Sequence, residues 1–313
     1  MASLRRLYHL ASSIPLVAVA AYARLRGVDN VIVDGVALPL DTDAHYHLRL
    51  AVLTLRDFPH VPTRDPLLGW PEGCSATWPP GYDHLLAVFP WALGLSGDLA
   101  ASARVMVFVP VLLGLALVFV TASIARRLAG DAPYAGAAGW AAGLLVALLP
   151  QSIAITEVGR TDHHGAEALI AALCLRWAIA WEPADDRSAA LRWEIAGALL
   201  LFAGVHIYCG SVLFAATALG LVTLARVVRR EPSPSLLGSG ALASLGGAAL
   251  LLLIDHGWIA AHRPWFHPLQ LSLLQPSLLA LAGAAALGFG VASRRDRAQR
   301  GRALAVAAGA LAA

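Results

Sequence analysis

The chain has 313 residues, of which 58% are hydrophobic and only 14% charged, and its mean hydropathy is +0.67. A water-soluble domain of this length cannot hide so much apolar surface in one core, so the composition predicts a membrane protein, all-α and polytopic. At about 20 residues per span, roughly nine apolar blocks absorb about 180 positions, which excludes a sizeable separate soluble domain, and a formal charge of +3 carried by arginines in short clusters excludes a nucleic-acid-binding face.

Arg5 and Arg6 precede the first apolar block, about 10–23, which reads as an uncleaved first span in preference to a signal peptide. Further spans are predicted at about 101–124, 134–149, 165–181, 189–206, 211–228, 236–254, 276–291 and 303–313. The stretch 81–95 reads as an interfacial helix, because Pro79, Pro80 and Pro90 flank or interrupt it. Arginine clusters fall at Arg5 and Arg6, Arg126 and Arg127, Arg187, Arg226 with Arg229 and Arg230, and Arg294 through Arg302. If all of them face the cytoplasm, one alternating path results, and linkers 27–96, 151–164 and 255–275 emerge on the outer side with most of the histidines. Arg192 and Glu194 read as interfacial residues that snorkel, pair or line a polar cavity. Cys74, Cys174 and Cys209 are too scattered for a zinc site or a disulfide framework.

Two polar segments carry the candidate chemistry. Asp41-Thr42-Asp43-Ala44-His45-Tyr46-His47 follows the first span, and its alternating Asp and His predict several ligands near one point of an extended or turning segment. Carboxylate oxygens with imidazole suit Mg²⁺ or Mn²⁺ better than a thiolate metal. Thr156-Glu157-Val158-Gly159-Arg160-Thr161-Asp162-His163-His164 follows the third span and emerges on the same side. Two Asp/His segments far apart in sequence but on one face make a stronger metal-site case than either alone. Arg160 suits an anionic partner such as a phosphate or diphosphate.

The runs DTDAHYHLRL from Asp41, DPLLGWPEGCSATWPPGYDHLLA from Asp65 and TEVGRTDHHGAEAL from Thr156 together resemble the catalytic subunit of oligosaccharyltransferase. The resemblance implies a multispan helix bundle of the C-type glycosyltransferase fold with its site on the outer face. It implies a polyprenyl-diphosphate-linked oligosaccharide as donor, a polypeptide asparagine as acceptor, and the lipid bilayer of a prokaryotic plasma membrane as setting. Asp43 falls on the family's first-loop aspartate, which binds the divalent ion and contacts the acceptor amide. Asp162 and His164 fall on its second metal-binding pair, with Asp41, Arg160 and His163 as lower-ranked substrate-binding residues.

Two departures accompany the resemblance. Leu273 stands where the family pattern has a glutamate, and a leucine neither accepts an amide hydrogen bond nor binds a metal. No Trp-Trp-Asp motif is present, and the last apolar run is only about 11 residues against the roughly 20 a span needs, so residues 1–313 read as the amino-terminal transmembrane part of a longer protein. The alternatives are a C-type glycosyltransferase using a polyprenyl-phosphate sugar and a non-asparagine acceptor, an inactive fragment, or a transporter.

Overall fold

The computed structural model describes residues 2–181, 187–228, 234–261, 266–268 and 270–292. In chain order its elements are α1 (Ala2–Leu25), α2 (Val28–Val31), β1 (Ile32–Val33), β2 (Val36–Ala37), α3 (Thr42–Arg56), β3 (Arg64–Asp65), β4 (Cys74–Ser75), α4 (Gly81–Ala92), α5 (Leu99–Met106), α6 (Val109–Leu128), α7 (Ala135–Leu148), α8 (Pro150–Ala154), α9 (His164–Ile179), α10 (Arg187–Ile207), α11 (Ser211–Val228), α12 (Pro234–Ile254), α13 (His256–Ala261) and α14 (Leu274–Ala292). The strands form two antiparallel hairpins, β1 with β2 and β3 with β4. All else in this order is helical.

The predicted blocks fall on helices, with α1 starting eight residues before its block and 101–124 divided between α5 and α6, except 303–313, which lies with Arg229, Arg230 and Arg294–Arg302 outside the described residues. Among the described residues, two helices are long and apolar enough to cross a membrane by length and composition, Leu99–Leu128 and Arg187–Ile207, and four shorter apolar helices accompany them. The count of nine spans is not established. Helix α4 has 12 residues, about 18 Å at 1.5 Å per residue, too short to cross a hydrocarbon core alone.

The chain divides into two compact units, Met1–Pro62 with Pro80–Ala172, and Thr63–Pro79 with Leu173–Ala313. In the first, α1, α6 and α7 pack around Leu16, Ala20, Val118 and Ala147. The contact is close because small residues face it: a Cβ on Gly139 would stand 2.8 Å from the Ala122 carbonyl oxygen, the kind of approach that drives helix association in lipid.

At the end of α1, Arg24 is wholly buried. Its Nε donates to Thr156 Oγ1 at 2.8 Å, Nη1 to the Ala20 and Ala147 carbonyls at 3.1 and 3.2 Å, and Nη2 to Ser152 Oγ at 2.9 Å. The guanidinium thus receives the open carbonyl end of α7, where a cation is favoured, and ties α8 and Thr156 to α1. Gly114 makes the room, since a Cβ there would lie 2.2 Å from Arg24 Nε. Backbone bonds extend the clamp: Val158 N donates to the Arg24 carbonyl at 3.0 Å, Gly159 N to Val107 O at 2.9 Å, and Leu40 N to Gly159 O at 3.2 Å.

Gly159 is required twice over. Its φ is +83°, and a Cβ would sit 2.6 Å from Val31 Cγ2 inside the buried cluster of Val31, Val107, Val111 and Val158. Gly159→Ala is therefore expected to destabilise this unit by about 2–3 kcal/mol, combining backbone strain with overpacking. Chemical unfolding in detergent checks this; a wild-type midpoint would contradict it.

In the second unit, α10, α12 and α14 approach through small residues: a Cβ on Gly247 would meet Leu201 Cβ at 2.9 Å, and one on Gly283 would meet Leu245 Cγ at 2.9 Å. Trp177 and Trp193 stack with centroids 4.1 Å apart, and each indole N–H donates to the other's carbonyl at 3.0 and 2.9 Å. Glu194 is buried, but it accepts from Arg187 Nη1 at 2.9 Å and Ser239 Oγ at 2.8 Å. Arg192 and Glu194 are not paired with each other. Two positions apart on a helix the side chains diverge, and Arg192 donates to Ser188 Oγ at 3.2 Å instead.

Candidate metal centre

The segment 41–47 is not extended. Asp41 has extended backbone, φ −148° and ψ 178°, and its carboxylate accepts from Ala44 N at 2.7 Å, capping α3. An Asp in that place, satisfying an otherwise open N–H of the first turn, starts a helix. The expected convergence of Asp41, Asp43, His45 and His47 is therefore corrected: in a helix, positions two apart diverge, whereas Asp43 and His47, four apart, share a face. Asp43 and His45 are exposed, and His47 is wholly buried.

The second segment is brought to the first by specific bonds. Thr161 Oγ1 donates to the Ala44 carbonyl at 2.8 Å across 117 positions of sequence. Arg160 donates through Nη1 to Asp41 Oδ2 and through Nη2 to Glu157 Oε1 at 2.9 Å. Burial opposes the Arg160 charge, but Glu157 and Asp41 outweigh it and raise its pKa. Asp162 is buried at the start of α9, accepting from the His163 N–H at 2.6 Å, and its Oδ2 lies 3.4 Å from His164 Nε2.

Behind this rim a buried chain of side chains runs inward. Asp162 Oδ1 is 2.8 Å from His163 Nδ1, which is 3.0 Å from His47 Nε2, and His47 Nδ1 is 2.8 Å from Asp83 Oδ1 on α4. Glu167, one turn along α9, puts Oε1 3.1 Å from His163 Nε2 and Oε2 3.3 Å from His164 Nδ1. Burial pushes Asp83 above the usual carboxylate range, only partly offset by His47. Burial works the same way on Asp162, yet its bond to His163 and the nearby imidazoles hold it below that range. For His163, burial disfavours the charge, but Asp162 and then Glu167 lift the pKa to about 9.

Of the residues expected to hold an ion, Asp162 and His164 are thus adjacent. Asp43 is one residue from the Ala44–Thr161 bond, exposed, and without a hydrogen bond or ion pair among the described residues. Among the described residues the side chains whose donor atoms converge within 4.8 Å are His47, Asp162 and His163, and His163, His164 and Glu167; Asp43 is in neither group. Arg160 and Asp41 are paired with each other at that edge, and His163 is buried rather than facing it. Sequence reasoning did not assign Asp83, Glu167 or the inward role of His47. The i,i+4 spacing of His163 and Glu167 was a usable signal once α9 was placed; nothing local points to Asp83.

At the departure near Leu273, no carboxylate takes the glutamate's place among the described residues. Ser272 N donates to Gln275 Oε1 at 2.9 Å, and Gln275 Nε2 donates to the His267 and Gln270 carbonyls, both at 3.0 Å. In the same unit Asp255 is engaged by His206, with Nδ1 2.9 Å from its carboxylate.

Residues 14–237 match the family described as Oligosaccharyl transferase STT3, N-terminal. The chain is 30% identical over 122 residues to Dolichyl-phosphooligosaccharide-protein glycotransferase 1 of Archaeoglobus fulgidus, covering 39% of this chain and 19% of that protein. It is also 30% identical over 162 residues to Dolichyl-monophosphooligosaccharide--protein glycotransferase AglB of Haloferax volcanii, covering 50% and 15%. Its fold is similar to the archaeal oligosaccharyltransferase AglB from Archaeoglobus fulgidus, solved in complex with an inhibitory peptide and a dolichol-phosphate, with a TM-score of 0.81 at 19% identity over 98% of this chain and 37% of that one. A second solved structure, the Archaeoglobus fulgidus oligosaccharyltransferase complex with Zn and sulfate, aligns with a TM-score of 0.78 at 18% identity over 90% and 35%. Since the family match runs over most of its length, the chain belongs to the oligosaccharyl transferase STT3 family.

Proposed function

We propose that this chain carries the ion-holding part of a membrane glycosyltransferase, in which Asp43, Asp162 and His164 hold Mg²⁺ or Mn²⁺ at the outer membrane face. The donor in this reading is a polyprenyl-diphosphate-linked oligosaccharide and the acceptor a protein asparagine. One observation carries it: the Thr161–Ala44 bond joins the two Asp/His segments at the point where Asp162 and His164 stand 3.4 Å apart. A divalent ion supplies Lewis acidity, stabilising the departing diphosphate without proton transfer.

The chain's own residues do the rest. Asp41 starts α3 so that Asp43 stands exposed in its first turn, where its carboxylate meets both ion and acceptor amide. Arg160, preset between Asp41 and Glu157, keeps a partly exposed guanidinium at the same edge, where an anionic donor group meets it. Asp162 is oriented by the His163 N–H and His164 by Glu167, the carboxylate support that metal-binding histidines usually have. In this reading the arginine clusters face the cytoplasm and this edge faces the outer side of a multispan path.

A second reading is favoured by Leu273 and the carboxylate-free turn around it: a C-type enzyme using a polyprenyl-phosphate sugar and a non-asparagine acceptor. Membranes of cells expressing the protein, given labelled lipid-linked oligosaccharide and a sequon peptide, separate the two. Label is expected on the peptide, lost with EDTA and restored by Mn²⁺. Label transferred to lipid supports the second reading, and metal-independent transfer overturns the ion site.

A further inference from the structure

We propose that His47, Asp162 and His163 form a second metal site, buried behind the rim and suited to Zn²⁺. It goes beyond the glycosyltransferase reading, with which it shares Asp162 as its one common ligand. Three donor atoms converge: His163 Nδ1 lies 2.8 Å from Asp162 Oδ1 and 3.0 Å from His47 Nε2, and the third side of the triangle is 3.9 Å. Tetrahedral zinc with ligands at about 2.0–2.2 Å separates its donors by about 3.3–3.6 Å, so small shifts bring all three onto one ion.

The surroundings match what such an ion requires. Each histidine turns one nitrogen into the triangle and the other toward a carboxylate, His47 Nδ1 to Asp83 at 2.8 Å and His163 Nε2 to Glu167 at 3.1 Å. That is the arrangement which fixes the tautomer and orientation of metal-ligating histidines.

A further sign is the wholly buried Tyr82. Its ring lies 5.0 Å from that of His47 and 6.4 Å from that of His163, and its hydroxyl has no hydrogen-bond partner among the described residues, nor has Asp83 Oδ2. Three protein ligands leave tetrahedral zinc one position for water, and such a water gives the buried hydroxyl a partner. Two imidazoles and one carboxylate favour zinc over the harder Mg²⁺. With Oδ1 in the buried site and Oδ2 toward His164, the Asp162 carboxylate bridges the inner ion and the rim, a spacing of about 3.5–4 Å in two-metal sites. The inner ion would bind α3 to the start of α9 and fix the carboxylate that the rim ion uses.

The test uses the full chain in lipid nanodiscs, loaded with zinc and dialysed against metal-free buffer. About one zinc per chain is expected to remain, and its X-ray absorption spectrum should show two imidazoles at about 2.0–2.1 Å. His47→Gln should lose the retained zinc, and Asp83→Asn should weaken its binding about 10- to 100-fold. Asp43→Ala should keep it, even though rim Mn²⁺ and glycan transfer are lost. Wild-type protein that retains no zinc, a spectrum without imidazole, or retention that falls with Asp43→Ala but not with His47→Gln would each overturn the proposal. The wild-type spectrum decides even if His47→Gln fails to fold. Failure of the transfer assay alone leaves zinc retention unchanged, so the two readings fail separately.

Discussion

Asp162→Ala is expected to lower metal-dependent glycan transfer by at least about 100- to 1,000-fold, because an ion that stabilises a departing diphosphate is worth several kcal/mol in the transition state. Asp162 is the residue on which the rim converges: it caps the His163 N–H, lies 3.4 Å from His164 Nε2 and touches the inner histidines. Asp43→Ala should cost a similar factor for a narrower reason. Its side chain is exposed, so the unfolding midpoint should stay at the wild-type value while transfer collapses. Asp162→Ala should lower both. Rates measured across a Mn²⁺ titration check this, and full activity in either variant would contradict it.

The second large effect is expected at Arg24. Arg24→Met removes a guanidinium that makes hydrogen bonds to Thr156, Ala20, Ala147 and Ser152, leaving the Ala147 carbonyl and Ser152 hydroxyl without this donor. A loss of about 3 kcal/mol follows from leaving buried acceptors unmatched. Arg24→Lys should recover only part of it, since an ammonium cannot reach four acceptors spread around a planar fork. Because Val158 N bonds to the Arg24 carbonyl and Gly159 bonds onward to Val107 and Leu40, the loosened segment is the one carrying Arg160 through Asp162, and Mn²⁺ affinity should fall with stability. Unfolding midpoints and Mn²⁺ binding measured on the same preparations check the pair. A wild-type midpoint in Arg24→Met would contradict the clamp.

Much of this architecture was legible in the residues. Apolar blocks bounded by arginine, proline and glycine located the long helices, because burial in lipid or in a helix bundle demands long uninterrupted apolar runs. The segment from Asp41 was misjudged: alternation of Asp and His looks like period two, yet Asp41 is a helix cap, and capping outweighs a short polar alternation with no apolar face to bury. For Glu194, which sequence alone places only at an interface, helical geometry assigns the partner to Arg187, seven positions away.

The candidate centre was legible only at its rim. Asp43, Asp162 and His164 stand out as polar residues beside apolar blocks. Arg24 at the end of α1 and Asp83 after a proline pair carry no local signature, because their partners His47, Ser152 and Thr156 lie tens to more than a hundred positions away, whereas Glu167 is readable only once α9 places it one turn from His163. The joining bond itself, Thr161 to the Ala44 carbonyl, uses a backbone acceptor that any residue offers.

The account turns on Asp43, Asp162 and His164 gripping one divalent ion. Crystals of the protein soaked with Mn²⁺ and measured at the manganese absorption edge test it most directly. An anomalous peak should lie about 2.0–2.3 Å from a carboxylate oxygen of both Asp43 and Asp162 and from His164 Nε2. A manganese peak bound elsewhere, or one at Asp162 that Asp43 does not reach, would contradict it.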